Sequence, residues 1–277
     1  MSRAASENFP VALKVLPEQV RQHLQAIYGY ARLVDSLGDE YSGDRSAALD
    51  WAAVQLEALF AGTHSHPIFR QLAPTVEHLG LSRLYFDKLL EANRLDQRKT
   101  SYTDWDDLLE YCDLSANPVG RLVLAVFGVD SPECEKYSDD VCSALQVLEH
   151  LQDVSEDAQV GRIYLPTEDM KRFNVHREHL LQPVAGTALR KLISYEADKA
   201  RHMLASGHKL TASLRGHARL AVAGFTAGGF AGLEAIGAAD FDVLSGLRKA
   251  GKLRLLKWFA KVYTKAVITP RKRAADK

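Results

Sequence analysis

The sequence predicts an all-α protein. Apolar residues recur at helical spacing along most of the chain, no run alternates convincingly as a strand would, and no segment repeats at a fixed period. At 277 residues, 47% hydrophobic and 25% charged, the chain has an ordinary globular composition and can bury a substantial core. It reads as a single domain.

The elements follow in order. A helix is expected from Glu18 to about Leu37, with Pro17 near its first turn. A Gly-Asp-Glu-Tyr-Ser-Gly break separates it from a second helix, Asp44 to Phe60. Pro67 to Leu79 and Leu81 to Ala92 continue the pattern on either side of Gly80. Thr103 is expected to cap Asp104 to Tyr111, whose first turn is acidic. Asn117-Pro118 opens a helix through Val126 that ends near Gly128, and Ser138 to Asp157 reads as one long helix. Gly161 to Pro166 is short and extended. Helices are expected again over Val184 to Ala205, where Gly207 interrupts, then Arg219 to Ala239 and Lys252 to Lys265. Leu220 to Leu233 is uncharged, but fourteen residues are too few to span a bilayer. A buried core helix is expected there, with Gly224, Gly228, Gly229 and Gly232 allowing close backbone approach.

Formal net charge is zero, which gives no reason to expect nucleic acid as a partner. The balance is uneven, however. Residues 248–277 carry 11 basic residues and one acid, leaving an excess of ten acids on the remainder. Lys252, Lys257, Lys261 and Lys265 share one helical side near Arg254, with Leu253, Leu256, Trp258, Phe259 and Val262 supplying apolar surface. That pattern suits peripheral contact with an anionic membrane. Packing on the acidic body is the equal alternative. Three cysteines without zinc-site spacing fit a reducing cytosol, and the N-terminus lacks the apolar core of a signal peptide.

Two stretches carry chemistry. Between Ala144 and Pro166, the residues Gln146, Glu149, Asp153 and Asp157 fall within a helical stripe about 80° wide, flanked by Leu145, Val147, Leu148, Leu151 and Val154. Acids aimed at an interior need a cation. Upstream, Asp35 and Asp39 repeat the four-residue spacing, with Arg32 and Tyr28 one and two turns before Asp35. One such pair alone reads as a solvated helix face. Two pairs facing each other in a helical bundle suit Mg²⁺, a hard ion that shares oxygen ligands with substrate phosphates, and Arg32 adds a cation for a phosphate oxygen.

These stretches resemble the motifs of the squalene and phytoene synthases, the head-to-head isoprenoid diphosphate enzymes. The resemblance runs from about Glu7 to Leu244 and rests on Asp35-x-x-x-Asp39, Gln146, Gln152-Asp-Val-Ser-Glu-Asp157 and Gly161-Arg-Ile-Tyr-Leu-Pro166. Glu7-Asn-Phe-Pro-Val-Ala12 and Ser115-Ala-Asn-Pro-Val-Gly-Arg-Leu-Val-Leu124 look most like the bacterial hydroxysqualene synthase branch. The resemblance implies an isoprenoid-synthase bundle with a central cavity. It also implies Mg²⁺-dependent ionisation of presqualene diphosphate, with water capture giving hydroxysqualene on a route to squalene and hopanoids. Asp35, Asp39, Asp153 and Asp157 would hold Mg²⁺. Tyr28, Arg32, Gln146, Arg162 and Tyr164 would be catalytic, and Asn8, Phe9, Asn117, Glu149 and Phe230 would meet substrate. Aromatic faces, among them Phe9, Tyr28, Tyr164 and Phe230, would stabilise the cation. Arg162 would contact diphosphate, its alternative being an ion pair with Asp157 or Glu156.

The chain departs from the family pattern in places. Ser36 stands where a second acid is common, and Glu149 where Asn is typical. Gln152 replaces an Arg frequent in condensing members, and Phe230 a frequent Tyr; both lean towards the one-substrate reaction. The enzyme alternative is condensation of prenyl diphosphates. The alternative of another class is a non-catalytic relative that binds isoprenoids or aids assembly. Partner enzymes of the squalene route and a cytoplasmic location, peripheral at the inner face of the plasma membrane, are further expectations. His176 and His179 lack a third ligand nearby, and the glycines of 224–232 match no nucleotide-binding fingerprint.

Overall fold

The computed structural model describes residues 15–246 and 250–268. The first half is built from α1 (Glu18–Asp35), a π-helical turn (Ser36–Glu40), α2 (Arg45–Phe60), α3 (Pro67–Leu79), α4 (Arg83–Asp96), α5 (Trp105–Ser115) and α6 (Asn117–Val126). The second half holds α7 (Pro132–Gln152), α8 (Val154–Gln159), α9 (Thr167–Arg172), α10 (Arg177–Leu180), α11 (Thr187–Leu204), α12 (Ser206–Ser213), α13 (Gly216–Ala238) and α14 (Lys252–Ile268). Among the described residues the sole β pairing is an isolated parallel bridge between Ser101 and Ile163. The all-α expectation holds.

Local chemistry explains the boundaries. The Asp44 side chain accepts from Ala47 N–H and starts α2, and Pro67 opens α3 where a missing N–H costs nothing. Gly80 ends α3 at φ 59°, a left-handed conformation that suits glycine. The α5 cap is Asp104 rather than Thr103: the Asp104 carboxylate accepts from Asp107 N–H, and Asp107 in turn accepts from Thr103 N–H. The long helix expected over Ser138 to Asp157 is broken. It ends at Gln152, Asp153 leaves the helical region at φ −103° and ψ 14°, and α8 starts at Val154.

Two large apolar cores lie in the bundle, with a smaller third. One gathers Leu24, Tyr30, Val34, Leu49, Phe69 and Phe86 from α1 to α4, with Leu122 of α6. The other gathers Leu108, Val147, Leu151, Leu192, Leu233 and Ile236 from α5, α7, α11 and α13. Helix α13 is long and apolar enough to cross a membrane by length and composition, yet 72% of its most apolar window is buried in the bundle. Glycines let it approach: a Cβ at Gly232 would stand 2.8 Å from Leu148 Cδ2, and one at Gly229 2.7 Å from Leu145 Cδ2. Its outer side is covered by α14, where Val262 and Ala266 are buried and Trp258 stacks on Phe230 at 4.6 Å.

One charged cluster is buried between α9 and α11. Asp169 is 3% exposed and Glu196 1%. The Lys199 ammonium donates to Asp169 at 2.7 Å and stands 3.6 Å from Glu196, whose two oxygens have no hydrogen-bond partner. Lys199 also lies over the rings of Trp105 and Tyr195. Burial first, and the Asp169 carboxyl second, push the Glu196 carboxyl up to about 8, so it is held largely protonated at neutral pH.

Candidate active site

The Asp35–Asp39 segment does not continue α1 as an α-helix. Tyr41 N–H reaches Ser36 C=O at 3.0 Å, a five-residue step that opens a π-helical turn. This turn is docked on α4. The Asn93 amide donates to Asp35 at 3.1 Å, and the Gln97 amide donates to Gly38 C=O at 3.0 Å. Gly38 makes the close approach possible, since a Cβ there would stand 2.4 Å from Asn93 Oδ1. Gly38→Ala should therefore push the turn off α4. We expect a loss of about 1–3 kcal/mol in urea unfolding, together with reduced turnover; an unchanged midpoint would mean that Asn93 yields freely.

Arg162 ties this turn to the second motif. Its guanidinium donates to Asp39 at 2.7 Å across 123 positions of sequence. Its backbone N–H donates to Asp157 C=O at 2.8 Å. Burial opposes its charge, but the hydrogen bond and charge of Asp39, with Asp96 behind, more than offset burial and keep it protonated. Behind Arg162, Tyr164 is buried, and its hydroxyl donates to Asp96 at 3.0 Å; Tyr111 donates to the other Asp96 oxygen at 2.8 Å. Burial raises the Asp96 carboxyl above its ordinary range despite those donors and Arg162. It also holds both phenols protonated.

His150 completes the network. Its ring lies 3.6 Å from that of Tyr164 and nearly parallel to it. The Gln146 amide meets His150 Nε2 at 3.0 Å; donation from the amide places the ring proton on Nδ1, which faces Asp157 at 3.6 Å. His150, Asp157, Arg162 and Tyr164 line one small pocket with Val154 and Leu180. The structure thus brings together Asp39, Gln146, Asp157, Arg162 and Tyr164. Asp96, His150 and Asn93 are partners that the sequence did not single out. An isolated acid, amide or imidazole at a helical position has no motif to mark it.

Other expected residues are placed differently. Arg32 donates to Glu40 at 2.7 Å, and that bond is the chief cause of its raised pKa. Tyr28 is half-buried on α1, Asp35 and Glu149 are exposed, and Asp153 is half-buried at the α7–α8 break. Asn117 is buried and accepts from Ser143, a tie between α6 and α7. Phe230 is buried and stacked by Trp258 and, at 5.6 Å, by His208. The face of Tyr164 is likewise covered by His150, so neither ring offers that face to a cation. Asn8 and Phe9 lie outside the described residues.

Among the described residues no three His, Cys, Asp or Glu side chains converge as a ready-made metal cage. The donor chemistry nevertheless fits Mg²⁺, which is usually held by one or two carboxylates with substrate phosphates supplying further oxygens. Asp35, Asp39, Asp153 and Asp157 are oxygen donors of that kind, two from each motif.

The whole arrangement has known counterparts. The family model for squalene/phytoene synthase matches residues 2–258. A hydroxysqualene synthase of Rhodopseudomonas palustris is 30% identical over 76% of this chain and 72% of its own length. A 15-cis-phytoene synthase of Synechocystis is also 30% identical, over 77% of this chain and 68% of its own. Among solved structures, a squalene synthase of Alicyclobacillus acidocaldarius superposes with a TM-score of 0.80 at 39% identity, covering 86% of this chain and 91% of its own. A dehydrosqualene synthase crystallised with a ligand gives 0.86 at 25% identity, covering 94% and 92%. With the family model matched along nearly its whole length, and with relatives of 30% identity and the same fold over most of the chain, the chain belongs to the squalene/phytoene synthase family.

Proposed function

We propose that this chain, as a single synthase domain with a basic C-terminal segment, ionises presqualene diphosphate and lets water capture the cation. The carbon–oxygen bond to diphosphate breaks with its electron pair leaving on the diphosphate. The cyclopropylcarbinyl cation left behind rearranges. A water oxygen then bonds to it as a ring carbon–carbon bond breaks and its electron pair becomes a new double bond. Loss of the water's extra proton to solvent gives hydroxysqualene. The observation that supports the reading is the Asp39–Arg162 pair, which ties the first acidic motif to the segment that follows the second. Mg²⁺ bound by Asp35, Asp39, Asp153 and Asp157 would supply Lewis-acid assistance to the leaving group. In the resting chain Arg162 is spent on Asp39 and Arg32 on Glu40. Both pairs are partly exposed and so cheap to break. A diphosphate entering with the metal gives each guanidinium a more highly charged partner, and bidentate phosphate contact is what that group does best. Asp96 accepts from Tyr111 and Tyr164 and keeps Tyr164 fixed behind Arg162.

Gln152 and Phe230, where condensing relatives often carry Arg and Tyr, favour one substrate over two. The condensing alternative has support of its own, because a phytoene synthase is as similar to the chain as a hydroxysqualene synthase. Product analysis separates them. Presqualene diphosphate should give hydroxysqualene with Mg²⁺ and nothing without it, while farnesyl diphosphate should remain unchanged. Turnover of farnesyl diphosphate to a condensed product would transfer the reading to the condensing enzymes. We read the enzyme as cytoplasmic and as one member of a squalene or hopanoid route, with partner enzymes supplying its substrate.

Glu149 tests the non-catalytic alternative, since it places a negative charge where the family typically has Asn. If it is a ligand or holds the capturing water, Glu149→Gln should cut turnover at least tenfold. If the position has drifted, Glu149→Asn should match or exceed the wild type. Steady-state kinetics of both variants decide, and an unchanged rate in the Gln variant removes any functional role.

A further inference from the structure

The C-terminal helix α14 has two apolar faces, and only one is used by the bundle. On the inner face Val262 and Ala266 are buried, and the Trp258 indole stacks on Phe230 and donates to Glu234 at 2.5 Å. Phe259 packs against the same core. These aromatic and branched residues, which the sequence offered to a membrane, belong to the body of the protein. The outer face is apolar as well. Leu253 is 85% exposed, Ile268 79%, Leu256 63% and Val267 55%. At about 100° per residue those four fall within an arc of about 120°, centred opposite Val262.

The charges lie on the exposed side as well. Helix α14 contains no acid, and Lys252, Lys257, Lys261 and Lys265 are all exposed. On the same count of about 100° per residue Lys257 falls inside the outer arc, Lys252 and Lys261 lie just beyond its two edges, and Lys265 stands about 60° beyond the arc. Its fifth cation, Arg254, is turned to the body and pairs with Glu234 at 3.2 Å. An exposed apolar strip with lysines within and beside it, their stems able to lie along the strip while the ammonium heads reach the headgroups, is the arrangement of a helix lying in a lipid interface. Its shape also chooses the partner. A convex strip one helix wide falls well short of the roughly 800 Å² per partner that a stable protein interface buries, whereas acyl chains close around any convex edge.

We propose that the outer edge of α14, through Leu253, Leu256, Val267 and Ile268, inserts into the surface of an anionic bilayer, with the exposed lysines on the headgroups. The inference stands on the helix alone and does not depend on the reaction assigned above. Each lysine near an anionic leaflet strengthens binding at low salt, and the contribution falls with ionic strength. The full chain should float with vesicles of phosphatidylcholine and phosphatidylglycerol at low salt, and at least tenfold less with phosphatidylcholine alone or at high salt. The triple change Leu253→Ser, Leu256→Ser and Ile268→Ser should lower vesicle binding at least tenfold without moving the thermal midpoint, because none of the three is packed. Lys257→Glu with Lys265→Glu should weaken binding and flatten its salt dependence. The proposal is overturned if the intact protein ignores anionic vesicles at low salt. It is equally overturned if the serine variant binds as the wild type does, which would assign binding to charge elsewhere. Conversion of a dimer to a monomer by the serine variant in light scattering, without loss of vesicle binding, would assign the strip to a second copy of the chain.

Discussion

Turnover of presqualene diphosphate should fall at least 100-fold when Asp157 is replaced by Asn, and likewise for Asp35, Asp39 and Asp153, with the fold retained. Each change removes one anionic oxygen while keeping the size of the side chain, so the loss falls on the metal–diphosphate assembly rather than on packing. A 100-fold loss corresponds to about 2.7 kcal/mol of transition-state stabilisation. The folding cost should be small. Asp35 accepts one bond from Asn93 that an Asn oxygen can also accept, and the Asp39–Arg162 pair is partly exposed. Steady-state kinetics at limiting Mg²⁺, with thermal melts alongside, separate the two effects. A variant that keeps near-wild-type turnover under those conditions removes its residue from the metal site.

The second large effect is on stability. Glu196 is pushed up to about 8 in the folded chain and returns to about 4.5 when unfolded, so between those values the folded state binds the extra proton. Stability must therefore fall as pH rises through that window, by up to about 1.4 kcal/mol per pH unit. His23 and His208 act in the opposite sense. Their folded values are lowered, chiefly by burial, and they contribute stability that grows as pH passes through 6.5. The informative interval is therefore pH 7 to 8.5, above most of the histidine titration. Urea unfolding should show the wild type weakening there and Glu196→Gln holding level, because a neutral amide replaces the protonated acid. Equal wild-type stability at both ends would mean that Glu196 is ionised throughout and balanced by Lys199.

Much of this was legible in the sequence, and the misses have physical reasons. Asn117–Val126 has the bounds expected from its Pro and apolar run. The α2 start follows from the Asp44 cap. The break at Asp153 was not legible, because Gln152-Asp-Val-Ser contains no Gly or Pro, and its apolar spacing runs on through the interruption. The π-helical turn was equally hidden: it is set by Gly38 meeting Asn93 and Gln97 on another helix, a tertiary demand that no local pattern carries. The acidic spacing identified Asp39 and Asp157 as candidates but not their partners. Arg162 was expected on diphosphate or paired with Asp157 or Glu156; its bond to Asp39 was not legible, because it depends on the Gly161 turn and on Ile163 being bonded to Thr100 C=O. Asp96 was invisible for a different reason. Its role depends on two tyrosines from other segments, and alone it resembles any acid on a helix end.

Helix α13 raises an issue for the biogenesis of the protein. By length and composition it passes as a membrane span, and it is kept from that fate by what covers it. Helices α7, α11 and α12, which it packs against, all precede it in the chain, and α14 alone follows. On a ribosome that delivers the chain from its N-terminus, α13 therefore emerges into a cleft whose walls have already been made. We expect this order to protect the helix from misrouting to the insertion machinery, so a circular permutation that places α13 ahead of α7 should raise its insertion into membranes during synthesis.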